Sequence, residues 1–137
     1  MRYMFIVTVM SLLCFFGGNN AVAQSSLYQG NAQYDRGLRY YLGQDVDRDY
    51  DEAARQWHIS AEHGHKDSQF MLGDMYYHGR GVTKDIKKAY AWFDTAAKIG
   101  FAQAGPARDR LVSQMDSMTL RQAQSLSSEY FRLYANP

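Results

Sequence analysis

The side chains with the most chemical potential, His58, Glu62, His63 and His65, crowd into one short stretch. His58 and Glu62 are four positions apart, which puts them on one face of a helix, where an imidazole and a carboxylate can share a metal. The zinc-protease helix, however, requires His-Glu-x-x-His, with the carboxylate between the two imidazoles as general base. The order here is His-x-x-x-Glu-His, and His63 and His65 flank Gly64 in a turn between helices. These groups read as solvated surface, and no metal is expected. Gly79-Arg80-Gly81 could suggest a phosphate cradle, but a P-loop needs a preceding strand and Gly-Lys-Ser/Thr opening a helix. Neither is present. There is no Gly-x-Ser-x-Gly elbow for a nucleophilic serine, and the single cysteine, Cys14, lies in an apolar N-terminal run. Trp57, Trp92 and the many tyrosines could stack on sugars or bases, yet they recur at repeating positions, as packing residues do. No cofactor and no enzymatic activity are expected.

The N-terminus carries an address. Arg2 is followed by an apolar stretch from Met4 to Phe16, broken only by Thr8 and Ser11; Gly17-Gly18-Asn19-Asn20 and Ala21-Val22-Ala23 come next. A short basic start, an apolar core and a small-x-small site make a secretory signal cleaved after Ala23. The run is shorter than the ~20 residues of a spanning helix. Lipidation at Cys14 is disfavoured by the bulky Leu13 before it. Residues 1–23 are therefore assigned to the signal and residues 24–30 to a flexible leader, and the protein is expected to be periplasmic or secreted, without stable membrane insertion after cleavage. Cleavage removes the only thiol, so stability must come from packing rather than disulfides. It also removes only Arg2 among the charges, which leaves 14 basic and 14 acidic residues. That balance argues against a broad nucleic-acid surface.

What must position any working residue is a repeat. Residues 34–64 shifted by 36 positions fall on 70–100 without a gap. Gly37 meets Gly73, Tyr40-Tyr41 meet Tyr76-Tyr77, Gly43 meets Gly79, Asp49 meets Asp85, Ala53 meets Ala89 and Gly64 meets Gly100. A period of this length marks stacked supersecondary units. In the second unit Phe70, Gly73, Tyr76 and Tyr77 form a helical stripe, which Gly79 and Gly81 stop. Asp85 caps a second helix whose stripe is Ile86, Ala89, Tyr90, Phe93, Ala96 and Ala97. The first unit repeats the scheme. Asp45 replaces the second loop glycine, at a position where Asp tolerates a left-handed backbone, and Asp49 with Glu52 resembles a capping box. A mid-helix glycine costs about 1 kcal/mol relative to alanine, so Gly37 and Gly73 are expected at close helix crossings, facing Ala53 or Ala61 and Ala89 or Ala97. Residues 103–137 read as a degenerate third unit: Ala104, Ala107, Leu111 and Met115 line one helix, and Thr119 opens a last one. Terminal units of a solenoid are atypical because one face meets water.

The run Leu72-Gly73-x-x-Tyr76-x-x-Gly79-x-Gly81-Val82-x-x-Asp85-x-x-Lys88-Ala89-x-x-Trp92-Phe93-x-x-Ala96-Ala97-x-x-Gly100 resembles the Sel-1-like repeat, a relative of the tetratricopeptide repeat. In the first unit Arg36, Asp45 and Gln56 depart from that pattern. The resemblance implies an all-α fold, a short right-handed α-solenoid of helix hairpins: repeat 1 over 31–66, repeat 2 over 67–102, and a capping hairpin over 103–137. It further implies a non-enzymatic adaptor for protein partners, here expected to be monomeric. In the related tetratricopeptide fold, first-helix positions line a concave groove, which nominates Tyr41, Asp74, Tyr77, His78 and Arg110 as partner-binding residues. Some exported relatives serve as immunity partners of toxic effectors. A cell-wall-active or other hydrolase and an envelope-assembly accessory are the alternative readings.

Overall fold

The computed structural model describes the backbone of residues 4–135 and the side chains of residues 21–135. Among them all regular structure is helical: α1 (Met4–Leu42), α2 (Tyr50–Glu62), α3 (Lys66–His78), α4 (Ile86–Lys98), α5 (Ala104–Val112) and α6 (Ser117–Tyr134). The C-terminal part of α1 pairs with α2, and α3 pairs with α4. The chain is a short α-solenoid of helix hairpins.

Both hairpins turn by the same device. Gly43 and Gly79 take left-handed φ values of 70° and 66°, which glycine adopts without a Cβ penalty. The amide of the following N-cap then reaches back across the turn: Asp49 N–H donates to the Tyr40 carbonyl at 3.0 Å and Asp85 N–H to the Tyr76 carbonyl at 2.9 Å. The Asp side chains cap the second helices. Asp49 accepts from the amide of Glu52 at 2.9 Å, and Asp85 from those of Lys87 and Lys88 at 3.0 and 3.1 Å. Only half of the expected capping box forms in the first unit, because the Glu52 carboxylate turns away to Arg55 and Gln56. The third loop position is aspartate in the first turn and glycine in the second. A Cβ on Gly81 would overlap the backbone carbonyl of Tyr50 in the preceding unit. Its counterpart Asp45 also has a left-handed φ of 61° but is exposed, so a side chain is tolerated there.

The mid-helix glycines do mark close approach, but against a different neighbour. A Cβ on Gly37 would lie 2.5 Å from the Trp57 ring, and one on Gly73 would lie 2.5 Å from that of Phe93. Trp57 and Phe93 are themselves equivalent by the 36-residue shift. Each glycine is therefore a notch that receives an aromatic ring from the second helix of its own hairpin, not a contact with alanine. Trp57 is fully buried, and its indole N–H donates to the Tyr34 carbonyl at 3.1 Å. Around these rings Leu72, Met75, Ala53, Ala61 and Ala89 complete one continuous core.

The hairpins are joined by a buried polar chain. Ser68 Oγ donates to Ser60 Oγ at 2.6 Å, and Ser60 Oγ donates to the Gly30 carbonyl at 2.6 Å. Gln69 Nε2 donates to the carbonyls of Ala61 and Tyr134, each at 3.1 Å. Residues 24–30, assigned from the sequence to a flexible leader, lie within α1, and Gly30 is buried against His63 and His65. The apolar stretch of the proposed signal lies outside the residues whose side chains are described. Among the described residues no helix is long and apolar enough to cross a membrane.

The last unit departs most from the repeat. Helix α6 lies along α4 and reaches α2 at its far end. Tyr130 and Tyr134 pack on Trp92, with ring centroids at 4.5 and 5.5 Å. The cap of α6 is Asp116, which accepts the Thr119 amide at 2.7 Å, in place of the expected Thr119. A buried carboxylate ties the end together: Asp94 on α4 meets Lys98 and Arg108, each at 2.7 Å, and accepts from Ser127 on α6.

Candidate functional site in the groove between α3 and α5

Helices α3 and α5 are the first helices of neighbouring units, and a pocket of about 170 Å³ lies between them. The α3 face contributes Phe70, Asp74, Tyr77 and His78. The other wall comes from Ala107, Arg110 and Leu111 of α5 and from Gln114 just beyond it. Helical spacing dictates this set, since residues three and four apart share a face. The floor is apolar: Phe93 and Leu111 are buried, and the Phe70 ring packs tilted against that of Phe93 with centroids 5.3 Å apart. The rim is polar. Asp74 faces His78 Nε2 at 3.3 Å and Arg80 Nη1 at 3.9 Å. Gln114 Nε2 donates to Tyr77 Oη at 3.2 Å, bridging the two walls. Lys84 Nζ sits 5.8 Å from the centre of the Tyr77 ring, within cation–π range.

Four of the five residues nominated from the sequence (Asp74, Tyr77, His78 and Arg110) thus meet in one pocket. Tyr41 lies outside it. Its ring packs on Tyr50 and Trp57 at 5.2 and 5.3 Å, and its hydroxyl accepts from Arg80 Nη1 at 2.5 Å. That bond, with the Asp74 charge, raises the guanidinium pKa of Arg80 further. Arg80 therefore links Tyr41 to Asp74 along the same face of the solenoid. Sequence reasoning missed Phe70, Phe93 and Gln114. Gln114 stands one repeat after His78, so the 36-residue shift could have found it.

The histidine cluster does not converge. His58 Nε2 pairs with Tyr76 Oη at 3.1 Å, and its ring meets Trp92 edge-on at 5.9 Å. Burial, and secondarily the charge of Lys88, push its pKa down. His63 Nδ1 pairs with the Ile59 carbonyl at 2.7 Å. His65 caps α3, accepting the Ser68 amide at 3.2 Å through Nδ1, and stacks on Tyr34 at 4.7 Å. Each ring has its own structural partner. Among the described residues no group of three or more His, Cys, Asp and Glu side chains is arranged to hold a metal. A second, more open depression of about 410 Å³ is bordered by Asp51, Arg55, His58 and the Gly81–Thr83 loop. The tryptophans form no exposed stacking strip, since both are buried in the core.

A solenoid of helix hairpins with a small mixed-polarity groove between first helices is the class of protein these features define. The family model described as Sel1 repeat matches residues 30–65 and 66–101, and the chain belongs to that family. Over 73 residues, 51% of this chain, it is 38% identical to Protein sel-1 homolog 2 of Mus musculus and 40% identical to that of Homo sapiens. The chain spans about 11% of the length of these curated relatives. Among solved structures, it is similar to a protective antigen of uropathogenic Escherichia coli strains displaying an SLR fold. That similarity has a TM-score of 0.76 at 34% identity and covers 77% of this chain and 23% of that one. A Sel1 repeat protein from Oxalobacter formigenes aligns with a TM-score of 0.50 at 25% identity, over 78% of this chain and 98% of that one. Sel1 repeat proteins generally mediate protein–protein interaction, and the family fold is typically a non-enzymatic scaffold.

Proposed function

We propose that this protein is a non-enzymatic, exported interaction module that docks a segment of a protein partner in the α3/α5 groove, with Tyr77 as the aromatic anchor. The observation that carries the reading is the convergence of Asp74, Tyr77, His78 and Arg110 on an apolar-floored pocket. Interface energy concentrates in a few aromatic and Arg side chains set in such pockets. Export is supported by the apolar run from Met4 to Phe16 and the small-x-small Ala21-Val22-Ala23 that follows it. The docking reading is tested by partner capture from the native envelope. Tyr77→Ala and Arg110→Ala should each weaken capture while leaving the helical circular dichroism intact. Arg132→Ala, on the exposed face of α6, should not. Capture unaffected by both groove variants and lost in Arg132→Ala would sink the groove mechanism. Intact-mass measurement of exported protein should give a chain beginning at Gln24; a retained N-terminus or a lipid on Cys14 would contradict the address.

A further inference from the structure

We infer that the docked segment is acidic: one apolar side chain fills the pocket, and an adjacent carboxylate is held by Arg110. This rests on the docking reading above and adds the chemistry of the partner. Size comes first. Small-molecule sites run from roughly 300 Å³ upward, whereas this pocket holds about 170 Å³, room for a single side chain. Its floor of Phe70, Phe93 and Leu111 selects an apolar one.

Charge decides what stands beside that side chain. The one carboxylate in the pocket, Asp74, lies 3.3 Å from His78 Nε2 and 3.9 Å from Arg80 Nη1, so a guanidinium already stands beside it. Arg110 is exposed, and its guanidinium meets no hydrogen-bond or ion-pair partner among the described residues. Its neighbour Arg108, by contrast, is held by Asp94 and Asp109. Lys84 adds a second cation over the Tyr77 ring. The uncommitted charge around the anchor is therefore positive. A basic segment would meet like charge at the rim, while an acidic one gains the planar, two-pronged carboxylate recognition that a guanidinium provides.

The test is selection of short random phage-displayed peptides on the full chain, on Tyr77→Ala and on Arg110→Glu, with circular dichroism confirming that each variant keeps its helices. Peptides enriched on the wild type should carry Asp or Glu within two positions of Leu, Ile, Met or Phe. They should bind Tyr77→Ala and Arg110→Glu about tenfold more weakly or worse and weaken with added salt. Selection on Arg110→Glu should exchange the acid for Lys or Arg. Enriched peptides without an acidic bias, or equally tight on Arg110→Glu, overturn the inference. If those peptides still need Tyr77, the docking reading survives and only the partner chemistry fails. If they ignore both residues, or if none is enriched, both fail.

Discussion

Gly73 and Gly37 carry the fold at the scale of single residues, because the hairpin closes only where a ring can enter the helix surface. A Cβ on Gly73 would sit 2.5 and 2.6 Å from two carbons of Phe93. Gly73→Ala should therefore destabilise by about 1–3 kcal/mol, the usual cost of overpacking, even though alanine gains about 1 kcal/mol of helix propensity over glycine. Gly30, also helical, would place a Cβ no closer than 3.5 Å to any neighbour, so Gly30→Ala should shift stability far less. Denaturant midpoints of the pair check this, and equal shifts would refute the notch. His65 makes a second residue-scale prediction. Its Nδ1 must be unprotonated to accept the Ser68 amide. Burial pushes its pKa down, Asp67 and Asp35 oppose this, and Lys66 adds to it. A base whose pKa is lowered on folding binds more protons when unfolded, so its stabilising effect is present above the unfolded value of about 6.5 and is lost as pH falls below it. His58 acts in the same direction. The melting midpoint should thus fall between about pH 7 and 5. His65→Asn, which caps without titrating, should reduce that slope; an unchanged slope would remove His65 from the account.

Among the elements, α6 is tied down by a buried carboxylate as well as by the packing of Tyr130 and Tyr134 on Trp92. Asp94 is 5% exposed and joins α4 to Arg108 of α5 and Ser127 of α6. Burial alone would raise its pKa, but the bonds from Lys98, Ser127 and Arg108 outweigh it and hold the carboxyl below its ordinary range. A depressed carboxyl contributes stability above the unfolded pKa of about 3.9 and loses it as pH falls through the folded value. Asp94→Asn should cost on the order of 1.5–3 kcal/mol at neutral pH, as for hydrogen bonds to a charged group. Thermal melts should show the gap to wild type closing below about pH 4, and a gap independent of pH would show that the charge is immaterial. Element type was legible in the sequence because each hairpin pairs apolar periodicity with glycine stops and Asp caps. Partner choice was not. Periodicity states which face is buried but not that Trp57 and Phe93, twenty residues beyond each glycine, fill the notch. Likewise Thr119 and Asp116 are both competent caps, and only the backbone at Asp116 decides. The burial of Gly30 was hidden because its partner is the remote Ser60 hydroxyl.

At the scale of the whole molecule, the first helices of the second and third units enclose a small groove of about 170 Å³. The candidate site was legible to the extent that the repeat carries it: Asp74, Tyr77 and His78 share a helix face, and Arg110 is Asp74 moved on by one unit. Tyr41 obeys the same shift but lies outside the pocket, because it stands one unit earlier on α1, where Arg80 from the next loop binds its hydroxyl. Loop-borne partners of that kind have no periodic signal. The central claim is that partners dock at Tyr77 rather than on the outer surface. It is tested most directly by placing a photo-crosslinking benzoylphenylalanine at position 77 or at position 132 of the full chain and irradiating intact cells. A discrete partner should crosslink from position 77 and none from position 132. A partner crosslinked from 132 with none from 77 would contradict it.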